Sequence, residues 1–157
     1  MATIQIPLPL YVPDANGNGY PILYAATNHR HQVPAFLKDV DGYWYGHVRV
    51  PQDYVSTPKI ILSIGANATS GVTTLGVATK GVANTASYNV TYTTETNQDI
   101  TVAATAYLRK DVTFSLTSSP AAGDDLVTRI GHIGTAVNDT LAVDTILFST
   151  IFQYATV

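Results

Sequence analysis

The side chains that could bind a metal ion are few and widely separated. His29 and His31 stand two residues apart, a spacing that points both imidazoles to one side of an extended segment. Zinc sites need three or four ligands, and beyond this pair the chain offers only His47 and His132, with no acidic pair beside them. We therefore predict no metal site and interpret the segment around His29 as a solvated polar loop.

The carboxylates stand where turns are predicted. The range Asp39–Gly42 could begin a calcium loop, but the later acidic ligands of such a loop are missing. Asp124–Asp125 and Asp139…Asp144 could be read as the paired acids of a glycoside hydrolase, yet both lie at turns, where acids cap backbone amides. Glu95 is the only Glu, and no Gly-x-Ser-x-Gly motif occurs. The sequence thus predicts no enzyme active site and no cofactor.

The aromatic residues at Tyr43, Trp44 and Tyr45 form the remaining candidate site. Aromatic rings combine a large apolar surface with polar edges, and exposed rings could form a platform on which sugars stack. The alternative is that these residues belong to the core and rim of a sheet, with Trp44 pointing inward. We keep a surface aromatic patch at Tyr43, Trp44 and Tyr45 as one hypothesis beside that alternative.

Short strands are the elements that would position these residues. The apolar and polar residues alternate with turn signals roughly every 8–14 residues, a spacing typical of a sandwich or barrel. The predicted strands are Tyr43–Val50, Lys59–Gly65, Val72–Thr79, Ser87–Thr93, Ile100–Ala103, Val112–Thr117, Asp125–Ile133 and Ile146–Tyr154. The pattern therefore predicts an all-β domain over residues 35–157 with about eight strands.

Residues 1–34 follow a different pattern. Ile4, Ile6, Leu8 and Leu10 alternate with Thr, Gln and Pro. The period of two predicts an extended backbone, and prolines exclude such a segment from the centre of a sheet. We predict an edge strand or an extended N-terminal arm outside the sandwich domain.

Composition and charge narrow the classes of function. The chain has 157 residues, 46% hydrophobic and 12% charged, with a net charge of −3 and no cysteine. The length predicts one domain, and the lack of a basic run argues against nucleic acid as a partner. No stretch reaches the roughly 18 apolar residues of a membrane span, and no basic region precedes an apolar one at the N-terminus. A surface this poor in charge suits packing against partners.

Several turn motifs follow one another in a distinctive order. They comprise Val50, Pro51, Asp53 and Tyr54; Ala68–Gly71; Pro120–Asp124; Asp139–Asp144; and Tyr154. This order, over residues 43–157, resembles small jelly-roll structural proteins of tailed bacteriophages. The chain departs from the pattern after Arg129, where the relatives tend to carry an Arg-Asp pair and this chain has Ile130-Gly131-His132.

The resemblance implies a single jelly-roll-like antiparallel sandwich and a structural role in the virion. We expect a capsid decoration (cement) protein, made in the host cytoplasm, that sits on the outer capsid surface as a homotrimer and bridges capsomers of the major capsid protein. The N-terminal arm would contact the capsid through Ile4, Ile6, Leu8, Leu10 and Tyr11. The alternative is a receptor- or carbohydrate-binding head domain of a tail fibre or baseplate.

Overall fold

The computed structural model describes residues 1–13, 19–26, 29–93, 96–117 and 119–156. Over these ranges the chain forms eleven strands and no helix, so no helix there could cross a membrane. The strands are β1 (Thr3–Pro7), β2 (Leu10–Pro13), β3 (Gly19–Ala26), β4 (His29–Phe36), β5 (Asp41–Arg49), β6 (Tyr54–Ala66), β7 (Val72–Val82), β8 (Thr96–Thr101), β9 (Lys110–Ser115), β10 (Asp125–Ile133) and β11 (Thr145–Thr156). The predicted all-β class is confirmed, with more strands than the eight expected.

Two antiparallel sheets make a sandwich. Sheet A has the order β3-β4-β11-β6-β9, and β1 also pairs with β11; sheet B has the order β2-β5-β10-β7-β8. From β4 to β7, and again from β8 to β11, the chain changes sheet at each successive strand. This alternation between two sheets is the jelly-roll arrangement, which confirms the fold class predicted for the chain.

The core lies between the sheets and follows the alternation of each strand. Phe36, Phe114 and Phe152 are fully buried there, and Leu126 and Ile130 reach them from β10 in sheet B. Since side chains of neighbouring residues in a strand point to opposite faces, the residues between these positions face outward. The core of the sandwich therefore fixes which side chains of β5 and β10 reach the outer face of sheet B.

The N-terminal segment belongs to the sandwich and does not form an arm. Thr3–Pro7 pairs with Ile151–Ala155 of β11, and β2 pairs with β5. The predicted boundary between residues 34 and 35 falls inside β4, so residues 1–34 and 35–157 are not separate units. The edge-strand prediction is confirmed, because among the described strands β1 and β2 have one neighbour each.

The apolar residues of this segment contribute to the core. Leu8 is only 1% exposed, and Ile4, Ile6 and Leu10 pack against the same cluster. Burial of apolar surface drives folding, so these side chains are more stable inside the sandwich than on an extended arm in water. Leu8 is therefore not available to a capsid in the folded chain, and Ile4, Ile6 and Leu10 are half-buried. Of the five residues named, Tyr11 alone is exposed, and the capsid contact itself stays a prediction.

Two further segments differ from the sequence predictions. Residues 29–36, predicted as a polar loop at their start, pair with β3 and β11 as β4. Residues 87–93, predicted as a strand, lie in the β7–β8 loop, which is described over residues 83–93. Because β7 already pairs with β10 on one side and β8 on the other, it has no open edge for residues 87–93 to join.

Candidate ligand-binding face

Strand β5 sends one row of side chains to the outer face of sheet B. Trp44 points into the core, where it is 5% exposed and its indole N–H donates to the Ala35 carbonyl at 3.0 Å. Tyr43, Tyr45 and His47 alternate with it and face outward. The predicted surface patch is therefore wrong for Trp44, whereas Tyr43 and Tyr45 are half-buried on the outer face.

A β-bulge places Tyr11 beside this row. Leu10 pairs with Gly46 and Val12 with Tyr45, so Tyr11 is the extra residue of β2. Bulges re-aim side chains in this way, and the Tyr11 ring lies 5.1 Å from the His47 ring, inclined at 31°. Gly46 permits the approach of the two strands, since a Cβ there would lie 2.2 Å from the Pro9 carbonyl oxygen.

The β7–β8 loop supplies a further aromatic ring, Tyr92, beside Tyr45. Its ring centroid lies 6.3 Å from that of Tyr45. The Arg129 guanidinium, from β10, lies 4.8 Å from the centroid of Tyr43 and 5.4 Å from that of Tyr92, within the range of a cation–π contact. Burial raises the pKa of Tyr92, and Tyr45 adds to the rise while Arg129 opposes it. The Tyr92 hydroxyl is therefore neutral at pH 7 and can both donate and accept a hydrogen bond.

A second tyrosine fixes the β7–β8 loop to the sheet. The Tyr88 hydroxyl donates to Oδ2 of Asp125, and Nη1 of Arg49 lies 3.4 Å from Oδ1 of the same carboxylate. The hydrogen bond from Tyr88 is the main cause that lowers the pKa of Asp125; burial opposes it and Arg49 adds to it. Asp125 is thus ionised at neutral pH and bridges the loop to β5. At its other end, the loop is held by Thr93, whose hydroxyl donates to the Thr79 carbonyl at 2.8 Å.

These side chains enclose a cleft of about 300 Å³ on the outer face of sheet B. Its lining consists of Tyr11, Tyr45, Gly46, His47, Tyr88, Tyr92 and Val127. Val127 is 7% exposed and forms apolar floor between the rings. Pockets that bind small molecules combine apolar and aromatic walls with a few polar groups. This cleft offers ring faces, phenolic hydroxyls and an imidazole to a small polar ring.

Of the residues that line this cleft, the sequence predicted Tyr45 as part of a surface aromatic patch. It missed Tyr88 and Tyr92 because it assigned them to a sheet strand, and it assigned Tyr11 to a capsid contact. The regular spacing of tyrosines in residues 88–92 was the available signal. The bulge that exposes Tyr11 depends on the pairing of β2 with β5, which no local pattern reveals.

The acids at turns serve the backbone, as predicted for Asp124 and Asp139. Oδ2 of Asp124 accepts from the Ala121 amide at 3.0 Å, and Oδ2 of Asp139 accepts from the Thr74 amide at 2.7 Å. Asp41 accepts from the Thr135 amide at 3.1 Å, which makes the 39–42 segment a braced turn. These carboxylates are therefore occupied in holding loops.

The histidines fall into different surroundings. His132 is buried, with Nε2 2.9 Å from Oδ2 of Asp139 and Nδ1 3.1 Å from the Val40 carbonyl oxygen, so it braces the same turn. His47 is exposed at the cleft. The side chains of His29 and His31 lie outside the described residues, and within the part that is described no three His, Asp or Glu group as metal ligands.

Comparisons with known proteins find solved structures of similar fold. No family model matches the chain, and no curated protein matches it. Among solved structures, it is similar to an exo-β-1,3-galactanase of Phanerochaete chrysosporium solved with galactose (TM-score 0.55, 9% identity), covering 98% of this chain but only 30% of that one. It is also similar to the family 35 carbohydrate-binding module of Paenibacillus barcinonensis (TM-score 0.53, 13% identity), covering 99% and 100% of the two chains.

A third structure, the enzymatically active domain of tailspike protein 4 of bacteriophage CBA120, has a TM-score of 0.45 with 9% identity and covers 96% of this chain and 19% of that one. The first two similarities, at such low identity, show the fold alone. In fold, then, this chain is similar to a jelly-roll carbohydrate-binding module.

Proposed function

We propose that this protein is a non-catalytic carbohydrate-binding domain and that the tyrosine-lined cleft of sheet B is its binding site. The observation that carries the proposal is the convergence of four tyrosines and His47 from three separate parts of the chain on one cleft. Of the predicted surface aromatics, Tyr45 lines the cleft, whereas Tyr43 lies against Arg129 and is not part of the lining.

The chemistry of the lining suits a sugar. A pyranose ring has apolar C–H faces and polar hydroxyls around its rim, and a tyrosine offers an apolar ring and a polar tip in the same way. Tyrosine also buries much area at low conformational cost, because only two side-chain torsions are fixed. Sheet B holds Tyr45 and His47 rigidly, and the hydrogen bond between Tyr88 and Asp125 holds the loop, so the site is formed before ligand arrives.

Two further considerations support binding in preference to hydrolysis. The described acids at the turns are engaged by backbone amides, whereas a glycosidase needs two carboxyl groups flanking the scissile bond. The Paenibacillus barcinonensis protein to which the fold is similar is itself a family 35 carbohydrate-binding module.

The resemblance to phage structural proteins would place this domain on a virion, as the head of a tail fibre or baseplate. The capsid decoration role, the homotrimer and the outer capsid location stay predictions. The arm residues on which decoration depended are largely in the core. The copy number of the protein in purified particles, relative to the major capsid protein, separates the two roles: a handful of copies supports a tail location, and a fixed lattice ratio supports decoration.

The direct test is a glycan array probed with the full chain, followed by titration calorimetry on the strongest binder. We expect Tyr45→Ala and Tyr92→Ala each to weaken binding at least about tenfold, equivalent to about 1.4 kcal/mol. The matched control is Tyr107→Ala, an exposed tyrosine outside the residues that line the cleft. Binding that survives both cleft substitutions, or an array on which nothing binds, would overturn the proposal.

A further inference from the structure

The cleft end of sheet B is basic in a chain that is acidic overall. Arg49, Lys80 and Arg129 are three of the chain's eight Lys and Arg, and the chain carries a net charge of −3. Lys80 lies opposite Val127, the floor of the cleft, and Arg129 lies opposite Tyr45, a wall. Within the described segments 45–49, 78–82 and 124–129, the acids are Asp125 and Asp124, and Oδ2 of Asp124 accepts from the Ala121 amide at 3.0 Å. Clustered charge of one sign attracts ligands of the other.

Arg49 is the cation best placed to meet a ligand. It follows His47 by two residues in β5, so both side chains leave the same face of the sheet. Its side chain is 54% exposed, and its contact with Asp125 joins one guanidinium nitrogen to one carboxylate oxygen. A guanidinium carries five N–H donors in a planar fork. Asp125 therefore anchors Arg49 by one edge and leaves donors turned toward solvent beside the cleft.

Asp125 does not cancel this basic character. One of its oxygens accepts from the Tyr88 hydroxyl and the other meets Arg49. Both of its oxygens are thus engaged by the protein, while Lys80 on β7 and Arg129 further along β10, which contacts Tyr43 and Tyr92, add positive charge to the same face. His47, exposed in the lining, adds a further donor.

We infer that the saccharide bound in this cleft carries a carboxylate, as uronic acids and sialic acids do, and that Arg49 receives it. The inference rests on the proposed function. A planar carboxylate matches the guanidinium fork through two parallel hydrogen bonds, which gives orientation as well as affinity. The tyrosines take the ring and hydroxyls, and Arg49 selects for the acid group at the rim.

The test compares each acidic saccharide with its own methyl ester. An array carries uronic-acid oligosaccharides and sialylated oligosaccharides beside their methyl esters, which keep the ring and hydroxyls and remove the charge. We expect the acids to bind at least about tenfold more tightly than the esters. Raising NaCl from about 0.05 M to about 0.5 M should weaken the acids several-fold and the esters little, because salt screens the exposed charges.

Substitutions assign the effect to Arg49. Arg49→Gln should cost the acid about tenfold in affinity and leave the ester unchanged, and Arg49→Lys should restore part of the loss. Arg109→Gln is the matched control, because Arg109 is also exposed and also meets one aspartate oxygen, of Asp111, at 3.1 Å. Thermal unfolding of each variant confirms that it is folded.

The outcomes separate this inference from the proposed function. Esters or neutral sugars that bind as well as acids overturn the inference and leave carbohydrate binding intact. An equal loss in Arg49→Gln and Arg109→Gln also overturns it, because the effect would then be one of net charge. If a neutral saccharide binds while neither acids nor esters do, the inference alone is wrong; if no saccharide of any kind binds, the proposed function is wrong as well.

Discussion

The N-terminal segment and the β7–β8 loop show the same sequence pattern and have opposite positions. Both alternate apolar or aromatic residues with polar ones, at Ile4–Leu10 and at Tyr88–Tyr92. The first segment contains prolines, which exclude it from the centre of a sheet, yet its residue Leu8 is fully buried in the core. The second, with the cleaner alternation, forms no strand and lies on the outer face of sheet B.

The difference shows what a period of two establishes. It predicts an extended backbone with two unlike sides, but the partner of each side depends on which sheet edges are open. The edge of β11 beyond β4 was open to β1, while both edges of β7 were taken. Prolines are tolerated at an edge, so Pro7 and Pro9 agree with the position that the segment occupies.

The largest expected effect comes from truncating a buried leucine of the N-terminal segment, measured against an exposed leucine. Leu8→Ala should lower the free energy of unfolding by about 2–5 kcal/mol, since a fully buried leucine leaves a cavity when truncated. Leu108→Ala is the matched control: Leu108 is 54% exposed in the β8–β9 connection and should cost less than about 0.5 kcal/mol. Urea unfolding followed by tryptophan fluorescence reports both, because Trp44 lies in the core.

An equal, small effect at the two leucines would contradict the position of Leu8. The N-terminal segment would then be the free arm that the sequence alone suggested. In that case, the row of residues from Ile4 to Leu10 would again be available to a partner.

Gly46→Ala tests how closely the N-terminal segment packs against β5. The added Cβ would lie 2.2 Å from the Pro9 carbonyl oxygen, so β2 must move away. We expect a loss of about 1–3 kcal/mol in stability, typical of an overpacked site. Because the movement also carries Tyr11 away from His47, saccharide affinity should fall as well. Calorimetry of unfolding and of binding measures the two effects; full stability with full affinity would show that β2 does not rest on Gly46.

Particular residues show how far the sequence could predict this molecule. The sequence predicted the inward positions of β5, because Trp44 and Val48 alternate with residues that face outward. It also predicted the capping roles of Asp124 and Asp139, which follow from their turns. The sequence did not predict that the lining residues form one cleft. The cleft needs the bulge at Tyr11, the register that sets Arg129 opposite Tyr45, and a loop folded back over the sheet. Each of these depends on contacts between distant parts of the chain, and local spacing carries no information about them.

The smallest expected effect lies in the hydrogen bond that holds the β7–β8 loop. Tyr88→Phe removes the hydroxyl that donates to Asp125 and should lower stability slightly, because the pair is exposed and screened by solvent. The bond with Tyr88 holds the pKa of Asp125 below its ordinary value, and the bond with Asp125 is the main cause that raises the pKa of Tyr88. The wild-type advantage should therefore depend on pH at both ends.

The two pKa shifts determine how the stability difference changes with pH. A lowered carboxyl pKa contributes stability above its ordinary value of 3.8 and loses it as the pH falls through the lowered pKa. A raised tyrosine pKa contributes stability below its ordinary value of 10.0 and loses it as the pH rises through the raised pKa. The difference between wild type and Tyr88→Phe should thus be level near neutral pH and shrink at both extremes. In an Asp125→Asn background the dependence on the acid side should disappear, since the partner cannot ionise. A difference that persists unchanged into acid would show that Tyr88 does not bind the carboxylate in solution, and the contacts of Thr93 and Tyr92 would then hold the β7–β8 loop.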